Sequence, residues 1–170
     1  MGVVGIADCL VSKNPQETLI TYALGSCIAV ITYDPLAKVG GLLHYMLPEA
    51  QANDERAKKN PFMFGNTGIP ELIQMMVRNG AEQRRIVVRL AGGAQILNDA
   101  TLFDIGRKNQ LSARKMFWKI GVLVKGEAVG GSVPRTVRLD IASGAVGLRE
   151  GMKEVPFPAG ATNSVLREAK

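Results

Sequence analysis

The chain has 170 residues, 46% of them hydrophobic and only 5% aromatic, and 21 Lys and Arg outweigh 15 Asp and Glu for a formal net charge of +6. That length and apolar content support one buried core with little room for a second, and they exclude disordered, collagen-like and coiled-coil chains. No apolar run approaches the roughly 18 residues of a membrane span, and two Cys with a single His are too few for structural zinc, so neither membrane insertion nor a metal or other cofactor is expected.

In chain order, alternation of apolar with polar or small residues predicts strands over Val3 to Val11, Thr18 to Leu24, Cys27 to Tyr33 and Val39 to Leu47. The start, through Asp8, lacks the basic and long apolar segments of a secretory leader. With two thiols and no need for a staple, a cytoplasmic location is expected. The charged stretch from Glu49 to Asn60 reads as an exposed loop, a candidate binding or lid segment. Asn66-Thr67 then offers a cap for a helix whose Ile69, Leu72, Ile73, Met76 and Val77 recur at helical spacing until Asn79-Gly80.

Arg85 to Leu90 reads as a strand, and Ile105 to Ile120 as a second helix with Ala113, Met116, Phe117 and Ile120 inward. The outer face of that helix carries Arg107, Lys108, Arg114, Lys115 and Lys119. It is either a solvated surface or a docking stripe for an acidic helix. Strands near Val122 to Ala128, Arg135 to Ile141 and Ala145 to Arg149 follow. The boundaries expected are one domain over 1–155 and a flexible tail over 156–170. The Gly pairs at 40–41, 92–93 and 130–131 fit turns and close backbone approach, and no phosphate-binding loop is present. Nucleic acid is disfavoured as a partner, because the basic residues are scattered and do not interleave with aromatics.

One segment carries chemistry. Leu24-Gly25-Ser26-Cys27 sets a thiol just after a glycine turn, and the only histidine, His44, lies on the next strand. A hairpin that places Asp34 opposite Ala37 makes Cys27 face His44 directly, with Cβ atoms about 4.5–5.5 Å apart. A slip of one residue would send them to opposite faces. An imidazole beside a thiol generates the thiolate that attacks a carbonyl carbon, and it can return the proton to the leaving group. Thr21, on the preceding strand, is the nearest residue in sequence that can orient the ring, and backbone N–H groups near Ser26 and Cys27, with Gly25 allowing the turn, can form an oxyanion hole. A free Cys is also among the most buried residue types. Cys9 reads that way, and for Cys27 and His44 the core reading stays open beside the catalytic one.

The run from Thr18 to Val30 with Gly25-Ser26-Cys27, then Tyr33-Asp34-Pro35, then Gly40-Gly41-Leu42-Leu43-His44-Tyr45-Met46-Leu47-Pro48, resembles the signature of the CheD family of chemoreceptor glutamine deamidases. The resemblance continues through Asn66 to Gly80, Gly92-Gly93-Ala94, Ile105-Gly106 with Asn109, and Gly130-Gly131 with Arg135 in a late hairpin. It spans nearly everything from Val3 to Leu148. It implies a single-domain α/β/α sandwich of α+β class with a mixed, largely antiparallel sheet, similar to the catalytic domain of cytotoxic necrotizing factor toxins. It further implies Cys27 as nucleophile, His44 as general base and acid, and Thr21 as the residue orienting His44.

The implied reaction is hydrolysis of selected glutamine amides on the helical cytoplasmic domain of methyl-accepting chemoreceptors, with glutamyl methyl esters as a further substrate in some members. A CheC-type phosphatase acting on phosphorylated CheY is the implied regulatory partner. Ala128 and Pro134 depart from the family pattern, which has Asp and Gly there. A non-catalytic adaptor that keeps the fold and regulates such a phosphatase or receptor signalling is the alternative, and a cysteine peptidase or transglutaminase-like acyl transferase a third reading.

Overall fold

A computed structural model describes residues 1–95 and 104–158 of the chain. The expected first strand is two, β1 (Gly2–Val3) and β2 (Asp8–Ser12), because the chain changes sheet between them. Ala7, at φ 56°, makes the bend. β3 (Thr18–Leu24), β4 (Ile28–Asp34) and β5 (Val39–Tyr45) follow, and every residue of β4 and β5 is buried. Such continuously apolar strands need cover on both faces.

β6 (Val87–Gly92) leads through α3 (Ile105–Ile120) to β7 (Val124–Val129), and β8 (Arg135–Asp140), β9 (Val146–Glu150) and β10 (Lys153–Val155) complete the strands. One sheet has the order β1-β3-β8-β9-β10 and the other β2-β5-β4-β6-β7, with only β1·β3 and β6·β7 parallel. The expected class, a single α+β domain with mixed, largely antiparallel β-structure, is what forms. Its strands divide into two sheets, and among the described residues the helices pack on the β5-β4 sheet, so the layers run helix, sheet, sheet.

Two cores result. On the helix side, Ile28, Val30, Leu43 and Tyr45 meet Ile69, Leu72 and Met76 of α2 (Gly65–Arg78) and Phe117 of α3. Between the sheets, Leu24, Ala29, Ile31 and Leu42 meet Val137, Leu139 and Leu148. Truncating a fully buried side chain such as Leu72 to Ala costs about 2–5 kcal/mol.

Several local expectations change. The Glu49 to Asn60 stretch contains a short helix, α1 (Glu55–Lys59), capped by Asp54 and tied down where Asn60 Nδ2 donates to Ala7 O at 2.9 Å. Asn66 and Thr67 do not cap α2, which starts at Gly65. Asn66 exchanges two hydrogen bonds with Ala50, and Thr67 donates to Pro61 O. The strand expected from Arg85 starts at Val87, after a 3-10 turn over Gln83–Arg85. Gly130-Gly131 links strands of different sheets rather than forming a hairpin. Val155 belongs to β10, and Phe157, within the expected tail, packs against the inter-sheet core; residues 159–170 of that tail lie outside the described residues.

Candidate active site

The hairpin between β4 and β5 pairs Asp34 with Val39, not with Ala37, so the register lies two residues from the expected one. The turn is longer because the Asp34 carboxylate accepts from the N–H groups of Leu36 (3.0 Å) and Ala37 (3.2 Å), and Lys38 closes it at φ 51°. His44 therefore opposes Ala29, and Cys27 lies just before β4. An even slip preserves the face. Ala29, Leu42 and Cys27 all pack in the inter-sheet cluster, so Cys27 and His44 share that side of the sheet without standing directly opposite.

Thr21 reaches His44 from the other sheet. Its Oγ1 lies 2.8 Å from His44 Nδ1 and 2.8 Å from Val4 O. A hydroxyl has one proton, and Val4 O can only accept, so that proton goes to Val4. Oγ1 must then accept from a protonated Nδ1, which leaves the lone pair on Nε2. Nε2 is buried and has no hydrogen-bond partner in the structure, Cys27 Sγ included. Burial lowers the His44 pKa from 6.5 to about 4, so the ring is neutral at pH 7.

Cys27 is half-buried, and burial raises its thiol pKa, opposed in part by its own backbone N–H. The resting pair is therefore a neutral thiol and a neutral imidazole rather than the thiolate the sequence suggests. Cys9 is buried, and its thiol is pushed up to about 12 by burial and by Asp8 and Glu71. It is an inert core residue, as expected.

The segment before Cys27 is pinned on three sides. Ala94 N donates to Gly25 O at 2.8 Å, Gly93 N donates to Cys27 O at 2.7 Å, and Asn109 Nδ2 donates to Ser26 O at 2.9 Å. The left-handed residue that turns this segment is Ala23 (φ 54°), where the β3·β8 register shifts, rather than Gly25. Gly92 is what the loop requires of its neighbour. It sits at φ 105°, and a Cβ there would lie 2.2 Å from Cys27 O.

Sequence reasoning missed Gly92 as a site residue and gave Asn109 no role. Asn109 precedes Ala113 by four residues and so lies on the apolar stripe of α3, where a polar residue is the visible signal. Of the basic face of α3, Arg114 pairs with Glu127 and Lys115 with Glu49. Ala128 is a buried member of the inter-sheet core, and Pro134 accepts a backbone hydrogen bond from Gly151. Among the described residues no group of three His, Cys, Asp or Glu can hold a metal ion, and no helix is long and apolar enough to cross a membrane.

Comparison with known proteins adds identity to this geometry. Over 152 residues the chain is 49% identical to "Probable chemoreceptor glutamine deamidase CheD" of Solibacter usitatus (strain Ellin6076), covering 89% of this chain and 90% of that one. It is 53% identical over 144 residues to "Probable chemoreceptor glutamine deamidase CheD 1" of Syntrophus aciditrophicus (strain SB), with 85% and 90% covered. A further relative of the same description, from Methanococcus maripaludis (strain C5 / ATCC BAA-1333), is 41% identical over 149 residues, with 87% and 94% covered. Among solved structures, the Bacillus licheniformis hypothetical protein YfiH overlaps 68% of this chain and 47% of its own at 15% identity and a TM-score of 0.45, too distant to bear on the chemistry. The family model for CheD chemotactic sensory transduction matches residues 46–150, and with these relatives it establishes that the chain belongs to the CheD family.

Proposed function

We propose that this chain is a glutamine amidohydrolase acting on chemoreceptors, with Cys27 as nucleophile, His44 as general base and then acid, and Thr21 orienting the imidazole. The names of relatives up to 53% identical over most of both chains support the reaction and substrate class. The observation that carries the mechanism is the doubly engaged Thr21 hydroxyl. By fixing the proton on Nδ1 it leaves Nε2 as an acceptor on the sheet face that Cys27 shares.

Both groups start neutral, so attack and proton transfer go together. As Sγ bonds to the amide carbon, the thiol proton passes to Nε2 and the carbonyl π pair becomes an oxyanion. Collapse restores the carbonyl and breaks the C–N bond, and His44 returns the proton to the nitrogen, which leaves as ammonia. Water then attacks the thioester and gives a proton to Nε2, which passes to the departing sulfur. A carboxylic acid is released and the thiol restored. Nε2 lacks a partner in the free protein, and catalytic hydrogen bonds of this kind commonly tighten only with substrate bound.

A glutamyl methyl ester follows the same path with methanol leaving. The helical cytoplasmic region of methyl-accepting receptors is the substrate this reading names, and a CheC-type phosphatase its regulatory partner. The test is incubation with a receptor cytoplasmic fragment, read by mass spectrometry for conversion of glutamine to glutamate and by ammonia release. Conversion that disappears in Cys27→Ala supports the proposal. An unmodified receptor, with partner control intact in Cys27→Ala, would leave the adaptor role instead.

A further inference from the structure

Asn109 is fully buried on the inward face of α3, and its side chain joins the two halves of the site. Nδ2 donates one hydrogen to Ser26 O (2.9 Å), in the peptide that precedes the thiol, and the other to Met46 O (3.0 Å), two residues past His44. Tyr45 Oη returns a hydrogen bond to Asn109 O at 2.5 Å. Two carbonyls on one side fix which end of the amide faces them, because only the NH2 can donate. Oδ1 is then buried without a partner. A buried acceptor left unsatisfied is uncommon in a folded protein, and packing alone favours an apolar residue at such a position.

The consequence lies on the far side of the Ser26–Cys27 peptide. That unit is planar and trans, so its C=O and N–H point in opposite directions, and fixing Ser26 O fixes the aim of the Cys27 N–H. Among the described residues no backbone carbonyl accepts from that N–H. An N–H and the sulfur of the same residue branch from one Cα, so an N–H that no backbone carbonyl engages lies beside the attacking atom, where an oxyanion donor is needed. We infer that Asn109 is a positioning residue that aims the Cys27 N–H at the oxyanion formed when the thiol attacks, while locking the nucleophile loop to the strand that carries His44. The inference rests on the proposed role of Cys27 and extends it; it needs no particular receptor.

The test compares two reactions of the same sulfur. p-Nitrophenyl acetate acylates Cys27: the C–S bond forms as the thiol proton passes to His44 Nε2, the carbonyl pair becomes an oxyanion, and collapse breaks the C–O bond and expels p-nitrophenolate, the proton then passing to solvent. Iodoacetamide alkylates Cys27 by displacing iodide at a saturated carbon, with no oxyanion. In Asn109→Ala and Asn109→Asp, acylation should slow by about 10- to 100-fold, below the ~10²–10³-fold cost of deleting such a donor outright, with alkylation within about 3-fold of wild type. A cooperative thermal transition within a few degrees of wild type certifies that the variant is folded. If neither variant passes that check, Asn109→Ser, whose hydroxyl can still reach one carbonyl, is read in the same way. Equal slowing of both reactions, or of neither, overturns the inference and leaves the nucleophile standing. Wild-type protein that acylates no faster than Cys27→Ala overturns the nucleophile itself, and this inference with it.

Discussion

Thr21 Oγ1 stands 2.8 Å from His44 Nδ1 across the gap between the two sheets, and its own proton is engaged by Val4 O. In the proposed mechanism a neutral hydroxyl does what a carboxylate does in other nucleophilic sites, selecting one tautomer of the ring. It does so without the charge that would raise the imidazole pKa. Thr21→Val keeps the shape and removes the acceptor. It is expected to lower kcat by about 10²-fold with KM nearly unchanged, because a ring in the wrong tautomer lacks its acceptor at Nε2. Thr21→Ser should recover most of the loss. Steady-state deamidation by the two variants measures both effects.

The buried histidine links stability to pH. With a folded pKa near 4 against 6.5 for an exposed ring, the unfolded chain binds the proton first as pH falls. Stability therefore declines from about pH 6.5 down to pH 4 and is fully present above that window. The loss is about 3 kcal/mol at most, taking 1.36 kcal/mol for each pKa unit. Burial raises the Asp34 pKa, but Arg85 and the N–H groups of Glu82, Ala37 and Leu36 outweigh it and hold the carboxyl at about 2, so that group acts at lower pH. Urea melts across pH 4 to 7 should follow this slope, and His44→Gln should flatten it. The acid limb of kcat/KM should likewise fall near pH 4 rather than near 6.5.

Gly92 occupies a conformation closed to side chains and touches the nucleophile loop. Gly92→Ala brings a Cβ against Cys27 O and adds backbone strain of about 1–3 kcal/mol. Denaturant melts should show a loss of at least that size. Any folded fraction should alkylate Cys27 at an altered rate, since the carbonyl displaced is that of Cys27 itself.

The two thiols should separate cleanly. Cys9 is shielded and held protonated, whereas Cys27 is half-buried just before β4. Limited labelling of native protein with iodoacetamide, followed by peptide mapping, should modify Cys27 and spare Cys9. Cys9→Ala should leave activity intact at a modest cost in stability.

Much of this was legible in the residues. The β-rich first third and both long helices follow from alternation and helical spacing, and an even register slip leaves His44 on the side of the sheet where Cys27 packs; Thr21 meets His44 from the other sheet, a contact that no hairpin register specifies. The register was not legible, because Asp34 draws two N–H groups into the turn and lengthens it, a side-chain effect that alternation does not record. The division of Val3 to Val11 into strands of two sheets was hidden because both halves alternate correctly, and only the bend at Ala7 separates them. Asn109 was visible as a polar residue on an apolar stripe, but its partners are 83 and 63 residues away, and no local pattern specifies them.

The most direct test of the mechanism is to trap its intermediate. Wild-type protein is mixed with a receptor fragment, quenched in acid within a turnover and mapped by mass spectrometry. A receptor glutamyl group joined to Cys27 as a hydroxylamine-sensitive thioester, absent in Cys27→Ala and scarce in His44→Ala, is the predicted result. Glutamate formed at an undiminished rate by Cys27→Ala, with no adduct on the wild-type thiol, would contradict it.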